Sequence, residues 1–235
     1  MLYKLFRHSV SIMDPQPVAR SGAALTSLGP SIWCADRTIK FHFGISLPLR
    51  MVVVANENCE LLLYSPVALD DETRAALDAL GPVRWIIRPN PLHGHFIGAY
   101  RRTYPDAIYV TPTQTASERW QPWMETTLVT TRNEYAEICC YHPASHTLIL
   151  SDLAFNVRRG GVGTQYLLRF NGAWQRFGTT RVQRLLVLKN DFALRTFCRW
   201  ALNRNFTQIS VSHGELVTNN AVLAFKQAFG QWLPS

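Results

Sequence analysis

The chain has 235 residues, 47% of them hydrophobic and 17% charged, with a formal net charge of +8. That balance excludes a disordered chain and fits a globular protein with a substantial core. No apolar run approaches the roughly 18–20 residues of a membrane-spanning helix. The five cysteines form no Cys-x-x-Cys pair, which fits reduced thiols in a cytoplasmic or other reducing compartment, with at most one acting as a metal ligand.

Residues 1–30 combine Lys4, Arg7 and Arg20 with one acid, Asp14, and a break at Pro15 and Pro17. This leader is too polar for a secretory apolar region. Organellar targeting and plain disorder are the two readings of its Arg- and Ser-rich character. A single domain is expected over residues 31–235.

From Ser31 the pattern is β-rich. Ile32-Trp33 predicts a short strand, and Arg50–Asn56 with Cys59–Ser65 a hairpin turning at Asn56-Glu57-Asn58. Asp70-Asp71-Glu72 opens a helix with Asp70 as N-cap, stopped by Gly81. Val83–Ile87 then reads as a buried strand that ends in a loop carrying Asn90, His93 and His95. In extended backbone, His93 and His95 point to one side, as the start of a transition-metal site requires. The alternative is that one imidazole packs and the other is solvated.

Phe96–Tyr104 predicts a short helix and Ala107–Val110 a strand, with a loop over Thr111–Trp123. Thr126–Thr130, Tyr135–Tyr141 and His146–Ser151 predict three strands, the last two joined by Pro143-Ala144-Ser145. Asp152 follows the third, where an acid serves either as a ligand or as a turn or N-cap residue. Arg158–Gly163 lacks both G-x-G-x-x-G and a Walker Lys-Ser/Thr and reads as a flexible loop. Asp191–Leu202 predicts an amphipathic helix with Phe192, Phe197, Trp200 and Ala201 on its apolar side. Thr207–Val211 is a strand that leads into His213-Gly214, and a helix over about Asn220–Trp232 closes the chain.

Three strands thus end in candidate ligands: Asn90, His93 and His95; Asp152; and His213. At this point the sequence resembles the metallo-β-lactamase superfamily, and most closely a divergent branch known only as a domain of unknown function. The residues that carry the resemblance are LYSPVALDDETRAALDALGPV, RPNPLHGHFIGAYRRTYPDA, EICCYHPASHTLILSDLAFN and SVSHGELV, within Ser31 to Trp232. The resemblance implies an α+β protein, a four-layer αββα sandwich with a metal site at one sheet edge. Laid on this chain, the superfamily's His-x-His-x-Asp-His motif places its first His on Asn90, its second on Leu92, its Asp on Gly94 and its last His on His95. Leu92 and Gly94 cannot ligate through side chains. His93 matches a His recurrent in the branch, Asp152 the metal-bridging Asp and His213 the last His ligand. Glu137 lies in the strand where the branch usually carries an acid.

The expected ligands are therefore His93, His95, Asp152 and His213, with Asn90 and Glu137 in reserve. Four ligands suit one divalent ion (zinc first, then iron or manganese) better than a dinuclear centre, or else the site has decayed. One reading is a mononuclear hydrolase of an ester, thioester, amide or phosphodiester, in which Asp152 orients or bridges. The other is a non-catalytic binding protein. Between Val157 and Ser212 ten basic residues stand against one acid, Asp191, which reads either as a solvated basic face or as a surface for an anionic small-molecule substrate or partner. Nucleic acid ranks below that substrate or partner, because Tyr166, Phe170, Trp174 and Phe177 among those arginines have the spacing of a buried amphipathic segment as much as of a stacking platform.

Overall fold

The computed structural model describes residues 16–18, 22–42, 44–113, 120, 122–131, 135–187 and 191–233. Its strands are β1 (Gln16–Pro17), β2 (Thr26–Gly29), β3 (Ile32–Lys40), β4 (Ser46–Ala55), β5 (Leu61–Tyr64), β6 (Val83–Ile87), β7 (Ile108–Val110), β8 (Glu125–Thr130), β9 (Ala136–His142), β10 (Thr147–Asn156) and β11 (Gln208–Gly214). The α-helices are α1 (Asp71–Leu80), α2 (Ile97–Thr103), α3 (Val162–Phe170), α4 (Asp191–Leu202) and α5 (Ala221–Phe229). One sheet runs β1-β3-β4-β5-β6-β7, with β2 also on β3, and the other runs β11-β10-β9-β8. Within the first, β3, β4 and β5 are antiparallel, and β5, β6 and β7 are parallel, joined by crossovers through α1 and α2.

Strand periodicity builds the layers. Val52, Val54, Leu62, Tyr64 and Ile87 meet Ile138, Cys140 and Ile149 of the second sheet. Their alternates Met51, Val53, Leu61, Leu63 and Ile86 face Leu77 of α1 and Ile97 and Tyr100 of α2. On the far side Cys139, Tyr141, Leu148 and Leu150 pack with Phe197 of α4 and with Phe225 and Phe229 of α5. Neighbouring side chains on a strand point to opposite faces, so strands this uniformly apolar must be covered on both. The result is helix–sheet–sheet–helix, as expected.

Local signals hold where they are strongest. The Asp70 carboxylate accepts the Thr73 N–H at 2.7 Å and caps α1. At its other end Gly81 has φ +148°, and a Cβ there would lie 1.9 Å from the Cys59 carbonyl oxygen. The thiols of Cys34, Cys59, Cys139, Cys140 and Cys198 are free. Among the described residues no helix is long and apolar enough to cross a membrane.

The differences have tertiary causes. The strand expected at Ile32-Trp33 continues to Lys40, because the charges within it are paired across elements. Arg50 of β4 forks onto the Asp36 carboxylate at 2.7 and 2.9 Å, and Arg37 meets Asp70 at 3.0 Å. Helix α3 begins inside the expected loop, where the Thr164 hydroxyl bonds both the N–H and the carbonyl of Ser46 at 2.8 Å and ties the helix to β4. Phe192 lies off the buried stripe of Leu194, Phe197, Cys198 and Ala201 and is 80% exposed, not on the apolar side. Of the leader, Gln16–Pro17 and Thr26–Gly29 pair with β3, and residues 1–15 and 19–21 lie outside the described residues.

His142 at the end of β9 is buried, with Nδ1 2.7 Å from the Ser145 hydroxyl. Burial pushes its imidazole down to about 4 from the ordinary 6.5, so across that interval the unfolded chain binds the extra proton and the folded one does not. Its contribution is full above pH 6.5 and is lost as the pH falls toward 4. Urea midpoints measured down this range should fall less steeply in His142→Asn than in the wild type, and equal slopes would refute the assignment.

Candidate metal centre

The site lies where the parallel pairs of both sheets end. β5 delivers Ser65, β6 leads into the loop of Asn90 and His93, β10 carries Asp152, and β11 carries His213. Two of these residues sit within strands that run further than their sequence pattern predicts. β10 and β11 pair in register up to Leu150↔Val211 and resume at Phe155↔His213. Four residues of β10 then oppose one of β11, a bulge that turns Asp152 out of the ladder. Gly214 follows His213 with φ +123°, and a Cβ there would lie 2.2 Å from the Asn156 carbonyl oxygen. A side chain at 214 would therefore push apart the strands that hold Asp152 and His213.

The bulge leaves backbone donors without strand partners, and Glu137 of β9 takes them. Its carboxylate accepts the N–H of Ser151 at 2.8 Å, of Asp152 at 2.9 Å and of Leu153 at 3.3 Å. The Tyr135 hydroxyl and the Asn90 amide donate to the same carboxylate. Burial, then the charge of Asp152, push the Glu137 carboxyl above the ordinary carboxylate range, and the hydrogen bonds from Tyr135, Ser151 and Leu153 oppose that rise. Gln183 donates through its amide to the Asp152 carbonyl.

Asp152 is the centre of the polar cluster. Its Oδ1 lies 3.2 Å from His93 Nε2 and 3.1 Å from His213 Nε2. Its Oδ2 accepts the Asn90 amide at 2.9 Å. Burial would raise the Asp152 carboxyl, but His93 and His213 outweigh it and hold it well below the usual carboxylate range. The far nitrogens are engaged too: His93 Nδ1 is 2.8 Å from the Ser65 hydroxyl, and His213 Nδ1–H donates to the Pro48 carbonyl at 2.8 Å. Phe155 stacks on the His213 ring, centroid to centroid 4.7 Å at 17°.

Among the described residues, His93, Asp152 and His213 form a convergent donor set, with ligand atoms all within 4.8 Å of one another. A carbonyl can only accept, so the Pro48 bond puts the ring proton of neutral His213 on Nδ1. The Nε2 lone pair then faces a carboxylate oxygen 3.1 Å away. Two acceptors at that distance need a proton or a cation between them. Imidazoles oriented through their other nitrogen, beside a carboxylate, are the usual surroundings of a bound transition metal. Bonds of about 2.0–2.1 Å at a tetrahedral angle would separate two ligand atoms by about 3.3 Å, close to both nitrogen–oxygen distances. The residues fit one divalent ion.

The other expected residues stand elsewhere. His95 is exposed, its ring edge-on to Phe96 at 4.7 Å, and it lies outside the convergent group. Asn90 is buried and uses its amide as a donor to Asp152, Ser151 and Glu137. Its Oδ1 accepts the Leu92 N–H at 2.8 Å. Glu137 is committed to the backbone of the bulge. The supporting residues missed by sequence reasoning are Ser65, Ser151, Ser212 and Gln183. Only Ser65 had a signal, as the Ser-Pro step that ends a strand. It adopts φ +59°, an uncommon conformation for a residue with a side chain, and its hydroxyl reaches both His93 and Ser212.

The profile of a domain of unknown function, DUF4336, matches residues 30–118. No curated protein sequence gives a significant match. Among solved structures the chain is similar to the metal-soaked Flv1 flavodiiron core from Synechocystis sp. PCC6803, with TM-score 0.60 and 10% identity over 93% of this chain and 61% of that one. It thus spans about three fifths of the flavodiiron core's length. It is also similar to the metallo-β-lactamase FIM-1 from Pseudomonas aeruginosa in its mono-zinc form, with TM-score 0.57 and 12% identity over 88% and 94% of the two chains. A metallo-β-lactamase from Pontibacter korlensis gives TM-score 0.56 and 12% identity over 92% and 99%. The fold is that of the metallo-β-lactamases, in a divergent sequence.

Glu137→Gln keeps the shape of the side chain but turns an NH₂ group toward a backbone N–H. Oε1 accepts from Ser151 and Leu153, and Oε2 from Asp152, Tyr135 and Asn90, so at least two buried donors lose their acceptor, at a cost of about 1–3 kcal/mol each. Urea denaturation should show a loss of at least that size, and a variant as stable as the wild type would mean that Glu137 does not hold the bulge.

Proposed function

We propose that the protein is a mononuclear metal-dependent hydrolase of an ester, thioester or phosphodiester bond, with His93, Asp152 and His213 as the protein ligands. The observation that carries this reading is the convergence of two imidazole Nε2 atoms on one oxygen of Asp152 while both Nδ1 atoms are engaged elsewhere. Two histidines and a carboxylate suit zinc and also ferrous iron, and three protein ligands leave a position open for water or substrate. A bound divalent ion would supply charge stabilisation at the scissile group and a water of lowered pKa.

The chain's own residues do the positioning. Ser65 and the Pro48 carbonyl orient the two rings, Asn90 turns Asp152 so that Oδ1 faces them, and Phe155 covers one face of His213. The supporting hydrogen bonds are buried or partly buried, so the donor set is ordered before substrate arrives.

A second reading, a non-catalytic member of the fold that binds an anionic partner through its basic segment, has its own observation. Asn90 presents hydrogen-bond donors, not a ligand lone pair, to Asp152, and Leu92 and Gly94 offer no ligand atom.

Elemental mass spectrometry separates the two. The untagged protein should carry about one zinc, iron or manganese per chain, and the His93→Ala/His213→Ala variant should carry none. A zinc concentration of about 1,000 times the dissociation constant should stabilise the wild type by about 4 kcal/mol and leave the variant unmoved. Absence of metal after reconstitution, with equal stabilities, would favour the binding-protein reading.

A further inference from the structure

A cavity of about 310 Å³ opens directly onto the donor set, with His93, Asp152 and His213 in its wall. Its size is at the low end of ligand pockets. The rest of the wall is largely apolar: Ile39 and Leu47 from the first sheet, Leu92 and Phe96 from the loop of His93, Leu168 from α3, and Val182. Among the described residues no lysine or arginine lines it, and Asp152 is its only carboxylate.

This wall discriminates between substrate parts. A phosphate or carboxylate inside its apolar part would lose its hydration and meet no lysine or arginine, a cost of several kcal/mol. An alkyl chain loses nothing by leaving water and gains with every methylene buried. On the helix that contributes Leu168, Tyr166 and Phe170 are 72% and 77% exposed, so an apolar surface continues outward beside the cavity.

We infer that the substrate of this site is a carboxylic ester or thioester whose apolar acyl chain occupies the cavity, with the scissile carbonyl at His93, Asp152 and His213. The inference rests on the hydrolase reading and narrows it, setting phosphodiesters aside. In the reaction the oxygen of water bonds to the carbonyl carbon and the C–O or C–S bond breaks. The alcohol or thiol leaves with one proton, and the chain departs as a carboxylic acid. The arginines between Val157 and Ser212 stand outside the cavity wall, where they can meet a charged leaving portion.

Chain length is the test, and binding is measured apart from turnover. Isothermal titration of chelator-treated wild-type protein with 1-butanol, 1-hexanol, 1-octanol and 1-decanol should show affinity rising about three- to four-fold per added methylene until the cavity is full. Val182→Trp, which fills the cavity, should move the optimum to a shorter alcohol, and Leu167→Lys, at its half-exposed edge, should weaken the longer alcohols most. With metal restored, p-nitrophenyl esters from acetate to dodecanoate should show kcat/KM following the same order. Alcohols that bind with no dependence on length, or not at all, would overturn the inference even if metal and hydrolysis of short esters were found. Length-dependent binding without metal or hydrolysis would instead overturn the hydrolase reading on which it rests, leaving the cavity an apolar-chain site.

Discussion

The structure around the candidate site depends on one carboxylate that accepts where a strand should. β10 pairs with β9 only through Thr147, Leu148 and Ile149. Beyond that point the bulge would strand the N–H groups of Ser151, Asp152 and Leu153 inside the protein. Each buried donor without a partner costs about 1–3 kcal/mol. Glu137 accepts all three, and charge-assisted bonds of this kind are stronger than those of a neutral ladder. The same strand also fixes the loop of His93, since the Ile138 N–H binds the Pro89 carbonyl at 2.8 Å. Asp152 and His93 are thus placed by adjacent residues of β9.

That solution brings two buried carboxylates together, and Asn90 stands between them. Its amide donates to Asp152 Oδ2 at 2.9 Å and to Glu137 Oε2 at 3.3 Å, while the two imidazoles approach Asp152 from its other oxygen. In the resemblance that the sequence carries, position 90 belongs to a ligating histidine. A neutral amide there supplies donors instead, which suits a pair of acids and withdraws one ligand. This departure from the motif is built into the hydrogen-bond network, so the site has a self-consistent arrangement around three ligands.

The two sides of this site differ in character. Toward the bulge the side chains around Asp152 (Asn90, Glu137 and Ser151) are polar and hydrogen-bonded, which gives order. Toward the cavity the wall is apolar, which excludes water and strengthens any electrostatic interaction at Asp152. The exposed arginines that dominate the charge of the chain belong to neither side. Net charge therefore described the surface of this protein and said little about its pocket.

Much of the fold was legible in the sequence. The apolar runs Met51–Val54, Leu61–Tyr64 and Ile86–Ile87, the Asp70 cap and the stop at Gly81 are local signals whose physics needs no distant partner. His93, Asp152 and His213 could be nominated because each falls at or near the end of an apolar run. What the sequence could not separate was His93 from His95, two identical side chains two residues apart. The loop leaves strand geometry after Pro89, so only His93 turns toward Ser65 and Asp152. Helix α3 was hidden for a similar reason, since its anchor is Thr164 on Ser46, 118 residues away. The sequence by itself determined the layers, because alternation and capping act over a few residues. Tertiary structure alone decided which donors converge, that Glu137 supports rather than ligates, and that the space before them is apolar. Those outcomes depend on groups far apart in the chain meeting in one buried place.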